Sequence, residues 1–319
     1  MATRDDINIV FCCDENLARG LAAAVMSVVA TAAPGRRIRI FIVDGGFSRA
    51  SKDKLCRSFA AHEKHIQFLT LDETFLRRLM VSHHISTRAY YRLLLPAVLP
   101  PDVMKVIYLD ADLILNADIA GLWDLDLKGQ ALLAAQEQGE HFYQVSSLYG
   151  LLNYRELGLK PEQKYFNSGV LVIDLDQWRR DDLPAAFLKY AEANRQHIRW
   201  HDQDILNAVL ARRWGELDPR WNMQQHILLN SSWDQGPVKD KEAYDRLICQ
   251  PYIIHFSTAV KPWHFDNTNP FKDRFFQYLD TTAWKGWRPN GFSRVEMTRT
   301  AKKAVKSLRA GIFGAVKKG

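Results

Sequence analysis

The chain contains little cysteine and no long apolar segment. Its four cysteines include no C-x-x-C pair, so the sequence predicts neither a zinc site nor a disulfide framework. We expect free thiols in the core of a protein from a reducing compartment. The longest nearly apolar run, residues 21–33, is too short to span a bilayer and is typical of a buried helix. The acidic residues near the N-terminus lead us to expect no secretory signal peptide.

Three motifs common in α/β enzymes are also missing. The sequence contains no G-x-G-x-x-G after its first apolar run, no P-loop and no G-x-S-x-G. Their absence removes the usual support for dinucleotide binding, P-loop phosphate chemistry and serine hydrolysis.

The positive and negative charges balance in the body of the chain, and the excess of positive charge lies at its end. Residues 291–319 contain eight Lys or Arg and one acid, whereas the first 290 residues contain 35 charges of each sign. The net charge of +7 therefore belongs to the tail. A neutral body offers no basic groove, so we expect no nucleic-acid partner.

Short apolar runs alternate with segments of helical pattern over most of the 319 residues. The runs predict strands at residues 7–11, 37–43, 66–71, 105–109, 170–173 and 251–256. The other segments predict helices at residues 21–33, 51–61, 87–95 (ended by Pro96), 183–194 and 203–210. This alternation indicates an α/β fold with a mostly parallel central sheet, in which ligands bind beyond the carboxyl ends of the strands.

Two carboxylates follow the predicted strand at residues 105–109. Asp110 and Asp112 are two positions apart, so in extended chain they project to the same side and can hold one hard cation. The alternative is a polar turn, in which Asp is favoured for its backbone hydrogen bonds. Asp14 should emerge at the same edge, after the first strand.

Further polar segments complete a set that suits a nucleotide sugar. Residues 167–169 (NSG) precede a predicted strand, and residues 202–204 (DQD) open a helix. His255 ends the last strand, six residues before Lys261. Taken singly, His255 is typical of a hydrogen-bonded core histidine and Lys261 of a surface cation. Together they supply an imidazole ligand for a cation and a positive charge for a diphosphate.

Several segments, in one order, resemble a known family. They are IVFCCDEN, HHISTRAYYRLLL, VIYLDADLIL, LWDLDL, YFNSGVLVIDLDQWR, HDQDILN and IIHFSTAVKPW, spread over residues 7–263. On these segments the chain resembles the family 8 retaining glycosyltransferases, which have the GT-A (Rossmann-like) fold, and among them the bacterial lipooligosaccharide α-galactosyltransferases.

The resemblance implies a cofactor and a role for each matching residue. Asp110, Asp112 and His255 would ligate Mn²⁺, with Mg²⁺ as the alternative, and Lys261 would contact the diphosphate. The uridine and its ribose would be held by Asp14 and Asn16, with the backbone around Cys12, Ile85 and Ser86. Ala111 belongs to the same nucleotide-binding set. The donor sugar would be surrounded by Arg92, Asn167, Asp202 and Gln203, with Gln203 nearest the anomeric carbon.

Three positions depart from the family pattern. Glu137 stands where the galactosyltransferases have Asp, Thr258 where Gly is common, and Leu17 where an aromatic residue would stack near uracil. We expect altered contacts to the sugar, the phosphates and the base respectively. The resemblance leaves retention open between a covalent intermediate, with Asp202 or the weak amide nucleophile Gln203, and attack from the leaving-group face, which we favour.

The C-terminal tail has an amphipathic pattern. Apolar residues recur at helical spacing between residues 301 and 316, opposite a row of Lys and Arg. This pattern favours docking on an anionic membrane surface, and the alternative is a frayed, solvated tail. We therefore predict a catalytic domain at 1–265 and an extension at 266–319 that carries this helix.

The resemblance, together with the amphipathic tail, implies a Mn²⁺-dependent, retaining hexosyltransferase on the cytoplasmic face of the inner membrane. It would move galactose or glucose from UDP to a lipopolysaccharide, lipooligosaccharide or other cell-surface glycan. One alternative is a transferase acting on a protein or a soluble glucan. The other is a non-catalytic scaffold that binds nucleotide sugars at the membrane.

Overall fold

The computed structural model of the protein describes residues 6–70 and 90–291. Its strands are β1 (Ile7–Cys13), β2 (Ile38–Asp44), β3 (Ile66–Thr70), β4 (Lys105–Leu109), β5 (Leu113–Leu115), β6 (Leu132–Gln136), β7 (Phe166–Asp174), β8 (Trp214–Glu216), β9 (Met223–Gln224) and β10 (Ile253–His255). Its α-helices are α1 (Ala18–Thr31), α2 (Arg49–Phe59), α3 (Leu95–Val98), α4 (Ala120–Trp123), α5 (Leu175–Arg180), α6 (Leu183–Ala193), α7 (His201–Val209), α8 (Lys241–Cys249) and α9 (Lys272–Leu279). No helix among these residues is long and apolar enough to cross a membrane.

Seven strands form the central sheet, in the order β3-β2-β1-β4-β7-β6-β8. Four of its six neighbouring pairs are parallel. Strand β7 runs antiparallel to both β4 and β6. The prediction of a mostly parallel sheet is confirmed. A second, three-stranded sheet has the order β5-β10-β9.

Alternation along the strands divides the core between the two faces of the central sheet. In β2, Ile40 and Ile42 join the cluster that packs on α1. Phe41 and Val43 join the cluster on the opposite face. Both faces are covered, which explains why β1, β2 and β4 are nearly continuous apolar runs rather than alternating ones.

The two sheets meet at the carboxyl edge of β1 and β4. Because β1 and β4 are parallel neighbours, the residues after both strands emerge together. His255 on β10 pairs with Leu113 on β5, and the backbone N–H of Phe256 donates to the carbonyl of Asp112 at 2.9 Å. The small sheet therefore places a histidine directly beside the acidic segment that follows β4.

Three local predictions are wrong. Residues 167–169 do not precede a strand but lie within β7, where the carbonyl of Gly169 accepts the backbone N–H of Asp110 at 2.8 Å. Pro96 does not end a helix but lies in the first turn of α3, where a missing N–H costs nothing. The cysteines are free, but only Cys13 is buried, whereas Cys56 and Cys249 are exposed.

Residues 266–291 pack on the body of the fold. Phe275 and Leu279 of α9 are buried in the same cluster as α1. The guanidinium carbon of Arg19 lies 4.2 Å from the ring centroid of Trp287. The tail predicted to be amphipathic, residues 301–316, falls outside the described residues, and the domain boundary at 265 stays a prediction.

Candidate active site

A cavity of about 470 Å³ opens at the carboxyl edge of the central sheet. It is lined by Arg92, Asp110, Glu137, Phe142, Asn167, Ser168, Trp200, His201, Asp202, Gln203, His226, Leu229, Ser257, Thr258 and Ala259. The wall thus combines acidic, amide and aromatic side chains. It lies where the topology of an α/β sheet places ligands.

Three potential metal ligands converge beside this cavity. The Nε2 atom of His255 lies 3.3 Å from Oδ1 of Asp112 and 3.6 Å from Oδ2 of Asp110. One ligand atom of each residue lies within 4.8 Å of the others. Ligands on opposite sides of a cation that each bind at about 2.1 Å lie about 4.2 Å apart, so this spacing suits one divalent ion.

Two features of the surrounding residues fit a cation at this position. Oδ1 of Asp112 is buried and has no hydrogen-bond donor within the described part of the chain. A buried carboxylate oxygen without a partner is costly unless a cation or solvent compensates it. Gly169 faces the same point, because a Cβ there would lie 2.8 Å from Oδ2 of Asp110 and 2.9 Å from Nδ1 of His255. The donor set of two carboxylates and one imidazole suits Mn²⁺ or Mg²⁺.

The remaining carboxylate oxygens are held by protein donors. Oδ1 of Asp110 accepts from Arg92 at 2.8 Å and from the Tyr108 hydroxyl at 2.6 Å. Oδ2 of Asp112 accepts from the Lys261 ammonium. Each carboxylate is therefore fixed by one oxygen and turns the other toward His255. Burial alone raises the pKa of Asp112, but the adjacent Lys261 ammonium outweighs it and holds that pKa well below its usual value.

Arg92 links the acidic segment to α7. Its Nε lies 3.0 Å from Oδ2 of Asp202, and its Nη1 donates to the Ser168 carbonyl at 2.7 Å. Burial lowers the pKa of Arg92, but Asp110 and Asp202 raise it by more, so the guanidinium stays charged. Burial raises the pKa of Asp202, and Arg92 offsets part of that rise.

A further group of polar side chains in the cavity wall is arranged around Glu137; we call Glu137, Asn167 and Gln203 the polar wall. The Glu137 side chain is buried, and its Oε2 accepts from Nδ2 of Asn167 at 2.8 Å and from Nε2 of Gln203 at 3.4 Å. Its Oε1 lies 2.9 Å from Nδ1 of His226. Oε1 of Gln203 accepts the backbone N–H of Ser168 at 3.0 Å. These bonds orient carboxylate and amide groups of the kind that bind sugar hydroxyls.

Phe142, Trp200 and His226 contribute aromatic rings to the cavity wall. Phe142 stacks on His226 with 5.0 Å between ring centroids and an interplanar angle of 13°. Trp200 and Tyr149 pack against Phe142 at 5.4 Å and 4.7 Å, and both rings are more than one-third exposed. We call Phe142, Tyr149 and Trp200 the aromatic rim. Flat apolar surface next to polar groups suits the face of a sugar ring.

The structure brings together most of the predicted site residues, but not all. The predicted nucleotide contacts Asp14 and Asn16 follow β1, where Oδ1 of Asp14 accepts the backbone N–H of Asn16 at 2.9 Å. Among the described residues that line the cavity, neither is present. Burial raises the pKa of Cys12 to about 12, so its thiol is neutral. Ile85 and Ser86 lie outside the described residues.

The family model for glycosyl transferase family 8 matches residues 8–267. The chain belongs to glycosyltransferase family 8. The matched range includes Asp110, Asp112 and His255 and every residue of the polar wall.

Relatives and solved structures align with most of the chain. It is 30% identical over 285 residues to general stress protein A of Bacillus subtilis, covering 88% of this chain and 96% of the relative. It is 25% identical over 292 residues to the lipopolysaccharide 1,2-glucosyltransferase of Escherichia coli, covering 90% and 81%. The crystal structure of galactosyltransferase LgtC with donor and acceptor sugar analogs has a TM-score of 0.72 and 27% identity, covering 88% of this chain and 99% of that one. The GT-A fold predicted for this family 8 member is confirmed.

Several residues of the site were not found from the sequence. Tyr108 donates to Asp110 and His226 lies against Glu137, and Asn222 lies between His255 and Asn167. Tyr108 carries a usable signal, because it stands two positions before Asp110 on an apolar strand and therefore shares its side. Asn222 carries none, since it precedes a strand of only two residues.

Proposed function

We propose that this protein is a metal-dependent, retaining hexosyltransferase that uses a UDP-sugar. The observation that carries the proposal is the convergence of Oδ2 of Asp110, Oδ1 of Asp112 and Nε2 of His255. A divalent cation bound there would neutralise the two phosphates of a nucleotide sugar and so make UDP a better leaving group. Mn²⁺ is our preferred ion because the ligand set includes an imidazole, and Mg²⁺ is the alternative.

Lys261 supplies a second positive charge for the diphosphate. Its ammonium is held by Asp112 and donates to the Phe256 carbonyl at 2.8 Å. The Lys261 ammonium therefore contacts the same carboxylate whose other oxygen faces His255. We propose that it stabilises the negative charge that develops on the departing phosphate.

Glu137, Asn167 and Gln203 form the wall that we assign to the donor sugar. Their carboxylate and amide groups are oriented by one another before any ligand binds, which lowers the cost of ordering them around hydroxyl groups. Galactose and glucose are the proposed sugars, because relatives of this chain are named as a galactosyltransferase and a glucosyltransferase. The two sugars differ at one hydroxyl, and we assign the choice between them to Glu137.

We favour attack of the acceptor from the same face that the phosphate leaves. Double displacement would need a free nucleophile, but Oε1 of Gln203 accepts from Ser168. Oδ2 of Asp202 accepts from the Ser168 hydroxyl at 3.2 Å and faces Arg92. A carboxylate paired with a guanidinium is a weak nucleophile. The departing phosphate then takes the proton of the acceptor hydroxyl.

The proposed acceptor is a lipopolysaccharide, lipooligosaccharide or other cell-surface glycan. The aromatic rim supports a saccharide at this position, since Trp200 and Phe142 line the same cavity as Gln203. The naming of relatives as lipopolysaccharide glucosyl- and galactosyltransferases supports the lipid-linked class.

Release of UDP from a panel of UDP-sugars tests the donor assignment. We expect release from UDP-galactose or UDP-glucose in Mn²⁺, and a loss of at least about tenfold in the presence of chelator. UDP-N-acetylhexosamines serve as comparison donors, because their bulkier 2-substituent tests whether the polar wall leaves room for a larger sugar. Release that is equal with chelator would contradict the metal assignment. Release from the comparison donors alone would contradict the hexose assignment.

We also propose that the basic tail docks the enzyme on the inner face of the cytoplasmic membrane. Truncation after Asn290 should abolish sedimentation with anionic liposomes and leave release of UDP from soluble donor unchanged, because the site lies in the body of the fold. A full-length variant with Lys302, Lys303, Lys306 and Arg309 changed to Gln separates charge from length. Sedimentation of both variants at the level of the full chain would overturn this assignment.

A further inference from the structure

Asn222 is a fully buried amide between the two halves of the site. It ends the short 3-10 helix Pro219–Asn222, directly before β9. Strand β9 pairs in parallel with β10, which carries His255. Oδ1 of Asn222 lies 2.9 Å from Nδ1 of His255, and Nδ2 of Asn222 lies 2.9 Å from Oδ1 of Asn167. One side chain thus contacts a proposed metal ligand and a proposed sugar ligand.

The directions of the hydrogen bonds made by Asn167 and Asn222 follow from two groups whose roles are fixed, one N–H donor and one carboxylate acceptor. The backbone N–H of Gly169 can only donate, and it points to Oδ1 of Asn167 at 2.9 Å. The carboxylate of Glu137 accepts from Nδ2 of Asn167 at 2.8 Å. Both contacts set the same orientation for the Asn167 amide, so its Oδ1 is an acceptor toward Asn222.

The Asn222 amide is oriented in turn. Since Oδ1 of Asn167 accepts, the atom of Asn222 that faces it must be the NH₂ group, which donates. The other end of the Asn222 amide is then a carbonyl oxygen, which faces Nδ1 of His255. A carbonyl oxygen pairs with N–H, so His255 carries its proton on Nδ1 and keeps a lone pair on Nε2. That lone pair faces the oxygens of Asp110 and Asp112.

We propose that Asn222 is a positioning residue that fixes the metal-binding tautomer of His255 and connects this histidine, through Asn167, to the polar wall. The proposal rests on the proposed function, because it assigns His255 as a metal ligand. Ligating histidines depend on an outer partner for their other nitrogen, and removal of such a partner lowers metal affinity by about 10–100-fold. Here the same amide also holds Asn167.

Two substitutions separate the roles of the amide. Asn222→Leu keeps the size but removes both hydrogen bonds, so we expect both tautomers of His255 and a fall of about 10–100-fold in Mn²⁺ affinity. Asn222→Asp keeps an acceptor for Nδ1–H but loses the donor to Asn167. We expect it to retain the tautomer and Mn²⁺ binding, and to raise the KM for the UDP-sugar because Asn167 loses a partner.

Asn153→Leu is the matched control for burial. Asn153 is 2% exposed and makes two side-chain hydrogen bonds, to Asn194 and Tyr190, away from the site. We expect this variant to lose thermal stability without changing the His255 tautomer or the Mn²⁺ affinity.

The tautomer is read in the metal-free full-length protein from two-bond ¹H–¹⁵N correlation spectra at alkaline pH, where imidazole is neutral. The His255 signal is assigned with His255→Gln, and Mn²⁺ affinity is measured by electron paramagnetic resonance. An Nδ1–H tautomer in the wild type, lost in Asn222→Leu, supports the proposal. An Nε2–H tautomer in the wild type overturns it even if the leucine variant fails to fold. A folded Asn222→Leu variant in which the His255 tautomer and the Mn²⁺ affinity are both unchanged also overturns the proposal.

The test separates this proposal from the proposed function. If the wild type binds no Mn²⁺, the metal-dependent function falls, and with it the claim that the tautomer serves metal binding. A wild type that binds Mn²⁺ with the same affinity as Asn222→Leu leaves the function standing and overturns the role of Asn222.

Discussion

Changing Asp112 to asparagine is expected to lower kcat/KM for sugar transfer by about 10³-fold. Oδ1 of Asp112 is the buried carboxylate oxygen that faces His255 without a protein donor, so the substitution replaces a charged proposed ligand with a neutral amide. Loss of one group that stabilises developing charge typically costs about 10²–10³-fold. Here a more weakly held cation would lose part of its effect on both phosphates at once. Steady-state kinetics at saturating acceptor measures the change.

The asparagine keeps the size of the side chain, so the fold should be preserved. Asp126→Asn is the control, because Asp126 is exposed and its side chain accepts the backbone N–H of Lys128, away from the site. We expect wild-type kinetics from the control. Activity of Asp112→Asn within tenfold of the wild type, with the same dependence on Mn²⁺, would contradict a requirement for the Asp112 carboxylate charge in metal binding.

Gly169→Ala is expected to weaken metal binding strongly through a single methyl group. The added Cβ would overlap Cε1 of His255 and lie 2.8 Å from Oδ2 of Asp110. Both contacts are ligand groups, and Gly169 lies in the middle of the sheet, bonded to Asp110 through its carbonyl. Because the strand cannot retreat, we expect the imidazole to move and Mn²⁺ affinity to fall by at least about 10²-fold. Overpacking should also lower the free energy of unfolding by about 1–3 kcal/mol.

Gly215→Ala provides the comparison for added bulk in the same sheet. Its Cβ would meet Cδ2 of Leu133 at 2.6 Å, which is the movable end of a side chain. Calorimetric titration with Mn²⁺ and thermal unfolding are measured on both variants. We expect a loss of metal affinity in Gly169→Ala alone. Equal metal affinity in the two alanine variants would show that Gly169 does not confine the ligands.

The edge of the sheet that carries the site could be predicted from apolar runs. The run at 105–109 is buried on both faces, so it stands out in the sequence, and Asp110 must follow it wherever the sheet ends. Parallel pairing of β1 with β4 then brings Asp110 to the end of β1. Helix α7, which has Asp202 in its first turn, could also be predicted, because its apolar residues recur at regular helical spacing.

Other parts of the site depend on contacts that leave no local pattern. Asn167 and Ser168 interrupt the apolar run of β7, so the strand was predicted to begin too late, although tertiary hydrogen bonds satisfy both side chains. Glu137 follows β6, whose alanines weaken the strand signal. Asn222 acts on His255 from 33 positions away, through strands of two and three residues. Such short strands are formed by the sheet rather than by their own sequence.

Binding of UDP to the full-length protein, with Mn²⁺ and with chelator, tests the central claim most directly. It needs no acceptor and no knowledge of the donor sugar. Isothermal titration should show UDP binding in Mn²⁺ that weakens by at least about tenfold, or about 1.4 kcal/mol, when the ion is removed. Equal affinity with chelator would contradict a metal site at Asp110, Asp112 and His255. No binding under either condition would contradict the nucleotide-sugar site itself.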